Sequence, residues 1–454
     1  MTQHYVIRGA QVLDFDIDDF NYQDIEIKEG KIETIVEPGK SVSGAKNVDF
    51  QGHYIIPGLI DMHVHIKEGY APYFVAAGVT TVRNTGGNVH ELDTLIRARK
   101  DSPTPHVYST DRIIDGTPGL WGDTSPWNLN VTKEEEVTRE IERQAKAGAK
   151  FIKVYGRLPR HLIAHAVNEA KKFNLDVSCD LVHSNDVDAL TAAKLGVKWF
   201  EHASGILQSI YPKWSMNAEQ SRWDSIPFDQ PDEEAIRYIC EKLLNYDVIL
   251  CPTMILFDQM KDYPNYWKPE HSLIRAIESH SSLLNQWQAI SQHEAALQPL
   301  GIQSKMNQRI AKMYADLGGK IVAGTDTPAG IYTWPGLALH RELELFVENG
   351  FSPLQALRAA TIEASESIGL SHIGAIQPNK QADLVILNAN PLDNIKHTKD
   401  IHYVIKGEHM YSQQEIINEI PDEEEVLTNL KTFLSRFNEE VNGDWYETMI
   451  KEFD

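Results

Sequence analysis

The chain has 454 residues, 42% of them hydrophobic and 24% charged, an ordinary globular balance with room for one barrel-sized domain and a smaller companion. Its 43 Lys and Arg against 65 Asp and Glu leave a net charge of −22, which repels phosphate backbones and anionic membranes, so nucleic acid is not expected as a partner. No apolar run approaches the ~20 residues that span a bilayer. The start "MTQHYVIRGAQVLDF" lacks the pattern of a secretory signal, and three scattered cysteines make no disulfide framework, so a cytoplasmic chain without a membrane partner is expected.

In chain order, "HYVIRGAQVLD" reads as a strand broken at Gly9, and "DIEIKEGKIETIVE" as a hairpin turning at Glu29-Gly30. The pattern then changes to apolar strands separated by helical material. The strands are "LIDMHVH", "VTTVRN", "HVYST", "KFIKVYG", "LDVSCDLVH", "VKWFEH", "DVILCPTM" and "KIVAGTD". Among the helices, "VTKEEEVTREIERQAKAGA" carries Thr132 and Glu135 as a capping box and Gly148 near its end. That count and alternation predict an α/β fold, a parallel (β/α)8 barrel over 57–371. A doubly wound sheet would announce itself with a glycine-rich first turn, which is absent. "ADLVILNANP" and "IHYVIKGEHMY" return to short β-rich runs, so 1–56 and 372–412 are expected to pair as one small β-sandwich. The acidic 413–454 places Val426, Leu430, Phe433 and Phe437 at helical spacing, a stripe suited to docking on its own protein.

Barrel active sites lie at the C-terminal ends of the strands. There the sequence offers His63 and His65, two residues apart and so on one face of a strand, then Lys153, His183, His202 and Asp326. Each alone has a plain reading: a satisfied histidine, a lysine snorkelling to water, an aspartate capping a helix. All six at the same end of successive strands are hard to produce by packing. Imidazole and carboxylate suit zinc, with manganese or iron as alternatives, and a catalytic site leaves one position open for water. An ammonium is a poor ligand, but a deprotonated lysine captures carbon dioxide to give a carbamate whose two oxygens bridge two metal ions.

These residues resemble the metal-dependent amidohydrolase superfamily, prolidase-like and imidazolonepropionase-related members above all. The likeness runs from "VIRGAQVLD" through "YIIPGLIDMHVH", "AAGVTTVRNTGG", "FIKVYG", "AAKLGVKWFEHAS" and "AGTDTPAG" to "GAIQPNKQADLVILNANPLDNI". The resemblance implies a distorted barrel with a sandwich built from both chain ends, and two divalent metal ions. His63 and His65 would hold the more buried ion, His183 and His202 the more exposed one, and carbamylated Lys153 would bridge them. Asp326 would bind the first ion and pass a proton to the leaving group. Three positions depart from the pattern: Asn84 stands where Asp is usual, Asn379 where Gly is usual, and "CDLVHS" delays the fifth-strand histidine. Asp180 is the nearest other polar residue there, with the poorer spacing from the strand end.

The activity expected is hydrolysis of a C–N bond in a small molecule, such as a dipeptide or N-acyl amino acid, by a homo-oligomer. Tyr155, Arg157 and Arg83 are the candidate grips on a substrate carboxylate, each with a structural alternative, Arg83 as a brace of the barrel above all. A one-metal deaminase on the same fold would need a glutamate three residues past the fifth-strand histidine, where Asp186 stands. A scaffold barrel without catalysis would be expected to lack several of the six ligands.

Overall fold

The structure, a computed structural model, describes residues 4–40, 42, 44–279, 281–443, 445 and 449. Its N-terminal strands are β1 (His4–Asp14), β2 (Asp19–Lys28), β3 (Lys31–Val36), β4 (Lys46–Asp49) and β5 (Tyr54–Pro57). Glu29 and Gly30 form the expected turn: both take positive φ, 53° and 73°, and Lys28 pairs with Lys31. A two-residue hairpin loop of that kind matches the right-handed twist of its strands. Gly9 does not break β1. At φ 74° it bulges the strand, the register slips between Ile7 and Ala10, and the strand continues to Asp14.

The barrel strands are β6 (Leu59–Val64), β7 (Val79–Asn84), β8 (His106–Ser109), β11 (Phe151–Tyr155), β12 (Asp176–Asp180), β13 (Trp199–Glu201), β14 (Ile249–Cys251) and β15 (Lys320–Ile321). Between β8 and β11 lie two short extra strands, β9 (Ile113–Asp115) and β10 (Asn128–Asn130). β6–β8 form one parallel sheet and β9–β15 another. Two seams close the ring. Lys150 N donates to Ser109 O at 2.8 Å, and Met62 N and His65 N donate to Ala323 O and Thr327 O at 2.9 and 2.7 Å. Gly324 makes the second seam possible, because a Cβ there would lie 2.5 Å from Cys251 Sγ and 2.7 Å from His63 N. The architecture is therefore the expected α/β barrel.

After the barrel, β16 (Asp383–Leu387), β17 (Ile401–Lys406) and β18 (His409–Tyr411) return to the N-terminal strands. β16 pairs antiparallel with β5, so both chain ends enter one eight-stranded sheet in the order β18-β17-β16-β5-β1-β2-β3, with β4 on β1. It has a core of its own, including Ile7, Val12, Ile25, Ile55, Leu384 and Ile405. Asn379 takes φ 70°, a left-handed conformation that asparagine tolerates better than most residues, in place of the usual glycine. The helix expected around 131–149 spans Glu134–Ala147 and begins later than read. Glu136, not Glu135, accepts from the N–H groups of Thr132 (2.8 Å) and Lys133 (3.2 Å).

The C-terminal helix, Glu423–Val441, lies against the loops that follow the first barrel strands. Phe433, Leu434 and Phe437 pack with Trp127, Arg112 and Arg143 sit over the Phe437 ring, and Asn429 donates to Glu68 at 2.8 Å. The stretches of that expected segment at 444, 446–448 and 450–454 lie outside the described residues. No helix among the described residues is long and apolar enough to cross a membrane.

Candidate metal centre

Strand alternation puts His63 and His65 on one face, and the structure brings both to Asp326 from the far end of the barrel. His63 Nε2 and His65 Nε2 lie 3.0 and 2.9 Å from the same oxygen, Asp326 Oδ1. Ligand atoms bonded at ~2.0–2.1 Å to one small cation stand roughly 3 Å apart, so this trio has the spacing of a metal site. Each ring is oriented from behind. His63 Nδ1 meets Glu201 Oε2 at 2.7 Å and His65 Nδ1 meets the carbonyl of Gly86 at 3.2 Å. Both partners only accept, so each Nδ1 carries the proton and each Nε2 presents its lone pair to the centre. Burial pushes the His63 imidazole down, which favours that neutral form.

Glu201 is the hub behind the site. Its Oε1 accepts from Arg83 Nη1 at 2.8 Å and from Ser178 Oγ at 2.5 Å, while Oε2 holds His63. Against the desolvation of full burial, the charges of Arg83 and Lys153 hold its carboxyl well below the ordinary range. Arg83 itself is enclosed, its guanidinium 4.2 Å from the Phe151 ring and 4.1 Å from the Trp199 ring. That placement matches the structural alternative for Arg83: it braces Glu201 inside the barrel.

The second group of residues lies beside the first. The His63 and His202 ring centroids are 4.8 Å apart. His202 Nδ1 meets Thr253 Oγ1 at 2.7 Å, and that hydroxyl donates onward to Pro252 O at 2.8 Å. The hydroxyl therefore accepts from Nδ1–H, and Nε2 again faces inward, 3.4 Å from Asp180 Oδ2. The carboxylates of Asp180 and Asp326 raise the His202 imidazole against its desolvation. Asp180 is held at about 2 although desolvation alone would raise it, because His202 and Lys153 stand near. Lys153 Nζ is fully buried and has no hydrogen-bond partner. Tyr155 is buried above it, with its ring 5.4 Å from Nζ.

Two expected residues lie in turns beyond their strands. His183 lies in the turn beyond β12, half-buried, with Nδ1 buried and unpartnered. Arg157 is half-buried and donates through Nη1 to the carbonyls of Pro118 and Gly119. Several supporting groups were not singled out from the sequence: Glu201, Ser178, and Asp61, which accepts from Thr325 Oγ1 at 2.7 Å and ties the first strand to the last. Thr253, legible only as a polar strand end and a weak ligand, serves as the anchor of His202. The structure assigns Asn84 a bracing task too, since its Oδ1 accepts from Ile66 N and its Nδ2 donates to Gly86 O and Ser109 Oγ.

Three non-glycine residues at strand ends, His202, Thr253 and Asp326, take left-handed φ of 61°, 47° and 63°. Such conformations cost on the order of 1–3 kcal/mol each and cluster where function requires them. At His202 the consequence is direct. Residues 201 and 202 would point to opposite faces of a regular strand, and the left-handed turn lets both serve the site.

The residues present fit a metal pair on their own chemistry. Three imidazoles offer inward lone pairs, two carboxylates lie among them, and a buried lysine nitrogen lacks any partner. A small cavity beside His202 has mixed walls, Gln208, Gln303 and Asn307 beside Trp214, Phe257 and Met306.

The sequence profile of the Amidohydrolase family matches residues 54–411. The chain is 31% identical over 127 residues to adenine deaminase 2 of Agrobacterium fabrum (strain C58 / ATCC 33970), covering 25% of this chain and 21% of that one. It is 34% identical over 101 residues to the imidazolonepropionase of Geobacillus kaustophilus (strain HTA426), covering 21% and 24%. These matches span less than a quarter of the length of either curated relative. Among solved structures, a Xaa-Pro dipeptidase with methionine bound in its active site is similar at a TM-score of 0.67 and 19% identity, covering 90% of this chain and 100% of that one. At that identity the likeness carries the fold alone.

Proposed function

The chain belongs to the amidohydrolase family, and from that premise we propose that it hydrolyses a carbon–nitrogen bond of a small amide, using two divalent metal ions. The observation that carries the reading is the convergence of His63 Nε2 and His65 Nε2 on Asp326 Oδ1, beside the unpartnered Lys153 Nζ. His63, His65 and Asp326 would hold the inner ion, His202 the outer one, and Lys153, as its carbamate, would reach both. Zinc fits the donor set, and manganese or iron are compatible with it. Bound there, the ions would polarise the scissile carbonyl and acidify the attacking water toward neutral pH.

The chain's own groups would do the rest. Asp326 reaches the inner ligands through Oδ1 and is positioned to take the proton of the attacking water and return it to the leaving amine. Glu201, Gly86 O and Thr253 Oγ1 fix three imidazole tautomers, so these three rings are held in orientation. Tyr155 and Arg157 stay the candidate grips on a substrate carboxylate, which Arg157 would meet by releasing the carbonyls of Pro118 and Gly119. A dipeptide or an N-acyl amino acid would present such a carboxylate.

The test is a hydrolysis screen of N-acyl amino acids, dipeptides and, as a C–O control, lactones, on enzyme supplied with zinc or manganese. Cleavage of an amide, lost on chelation and regained with metal, is the expected result. Release of ammonia from an aminopurine with every amide untouched would overturn the reading in favour of a deaminase.

A further inference from the structure

The three inward imidazoles share one construction: an acceptor behind Nδ1 and a lone pair at Nε2 directed to the centre. His183 lacks it. Its Nδ1 is buried with no partner, and it sits in a turn three residues past the end of β12. The open Nδ1 does not decide the matter, since imidazole can ligate through either nitrogen. The position in a turn beyond the paired strand does, because nothing among the described residues fixes the ring there.

Asp180 has what His183 lacks. It is the last residue of β12, paired in register with Tyr155 at the end of β11. Ser178, two residues earlier and on the same face, donates to Glu201 in the barrel interior, so that face is the site's face. Asp180 Oδ1 accepts from Val182 N at 2.9 Å, which turns Oδ2 toward His202 Nε2. The 3.4 Å between those two atoms is long for a hydrogen bond but matches two ligands bonded at ~2.0–2.1 Å to one ion.

We propose that Asp180 Oδ2, and not His183, is the fifth-strand ligand of the outer metal ion, next to His202 and Lys153. The proposal rests on the metal-hydrolase reading above. An oxygen donor in place of imidazole makes the outer position harder and more negative, and so receptive to manganese as well as zinc. His183 is then free for the substrate side of the site.

Apo-enzyme prepared with a chelator and titrated with Co²⁺ tests this, reading ion content by mass spectrometry and ligand-field absorption by spectrophotometry. Asp180→Asn keeps the oxygen that accepts from Val182 N, so it preserves the structural contact and removes the charged ligand. It should fall from about two ions per chain to about one, with a changed cobalt spectrum, while His183→Asn retains both ions. If Asp180→Asn does not fold by circular dichroism, Asp180→His, which puts an imidazole at the same strand end, takes its place and should retain both ions. Two ions in Asp180→Asn, loss of an ion in His183→Asn, or loss of an ion in a folded Asp180→His overturns the assignment while leaving the metal-hydrolase reading intact. A wild-type chain that binds no Co²⁺ overturns both.

Discussion

At the inner pole of the site, every ring nitrogen facing away from the centre meets an acceptor, whereas at the outer pole His202 Nδ1 meets Thr253 but Lys153 Nζ meets no partner. The inner pole is also the more tightly braced. His63 leans on Glu201, Glu201 on Arg83 and Ser178, and Asp61 ties the first strand to the last. The outer pole holds a buried, unpartnered lysine nitrogen, which is costly to leave unsatisfied. The contrast suggests a division of labour: the fold supplies the inner pole's order, and bound ions with the lysine's modification complete the outer one.

The largest expected effect belongs to Asp326, which faces both poles. Asp326→Asn keeps the size of the side chain but cannot accept and return a proton. Turnover on the amide found in the screen should fall by ~10²–10⁴-fold, the usual contribution of a general acid–base group. A variant with wild-type kcat would break the assignment of Asp326 as the proton carrier. Next in size is Arg83→Met, which leaves the Glu201 carboxylate fully buried without its guanidinium. Breaking a buried pair this way costs about 3–5 kcal/mol, read as a drop in urea unfolding free energy. A loss below 1 kcal/mol would mean that Ser178 and His63 suffice to hold Glu201.

The inner pole was also the more legible in the sequence, and the reason is physical. His63 and His65 are two positions apart, so strand alternation places them together, and "AGTD" carries the chain from the last barrel strand to Asp326. At the outer pole the rule misleads. Glu201 and His202 are neighbours that should oppose each other, and only the left-handed φ at His202 brings both inward. On the fifth strand, the apolar pattern of "LDVSCDLVH" extends to His183, but ladder pairing stops at Asp180. Loss of pairing, invisible in composition, sets where β12 ends and leaves Asp180 at its last ladder position. Gly9 shows the same limit: glycine marked a backbone irregularity, and only the pairing shows that it was a bulge and not an end.

A smaller effect separates orientation from coordination. Glu201→Gln leaves every proposed ligand in place but can no longer hold His63 Nδ1–H with a charged acceptor. Second-layer changes of this kind weaken metal binding by ~10–100-fold. In a zinc competition titration the loss should fall on the inner ion, whereas Asp180→Asn should affect the outer one. If Glu201→Gln weakened both ions equally, the two poles would be a single unit and the comparison would fail.

The subtlest prediction concerns the ground beneath the outer pole. Thr253 anchors His202, and the helix Met254–Lys261 that follows is held at its start by Glu342, which accepts from Met254 N at 2.9 Å and Ile255 N at 2.8 Å. Burial pushes this carboxyl up from 4.5 to about 8. Below pH 4.5 Glu342 is protonated in the folded and unfolded chains alike, and its contribution to stability is complete. As pH rises from 4.5 toward 8, the unfolded chain releases a proton that the folded chain retains, so stability declines, and above 8 the decline ends. Glu342→Gln has no such proton. The wild-type advantage in urea midpoint over the variant should therefore shrink from pH 5 to pH 8 and then level off. A constant difference across that range would mean that Glu342 is already ionised in the fold at pH 5. The two backbone N–H groups would then outweigh its burial, and the outer pole would stand on a charged, not a neutral, support.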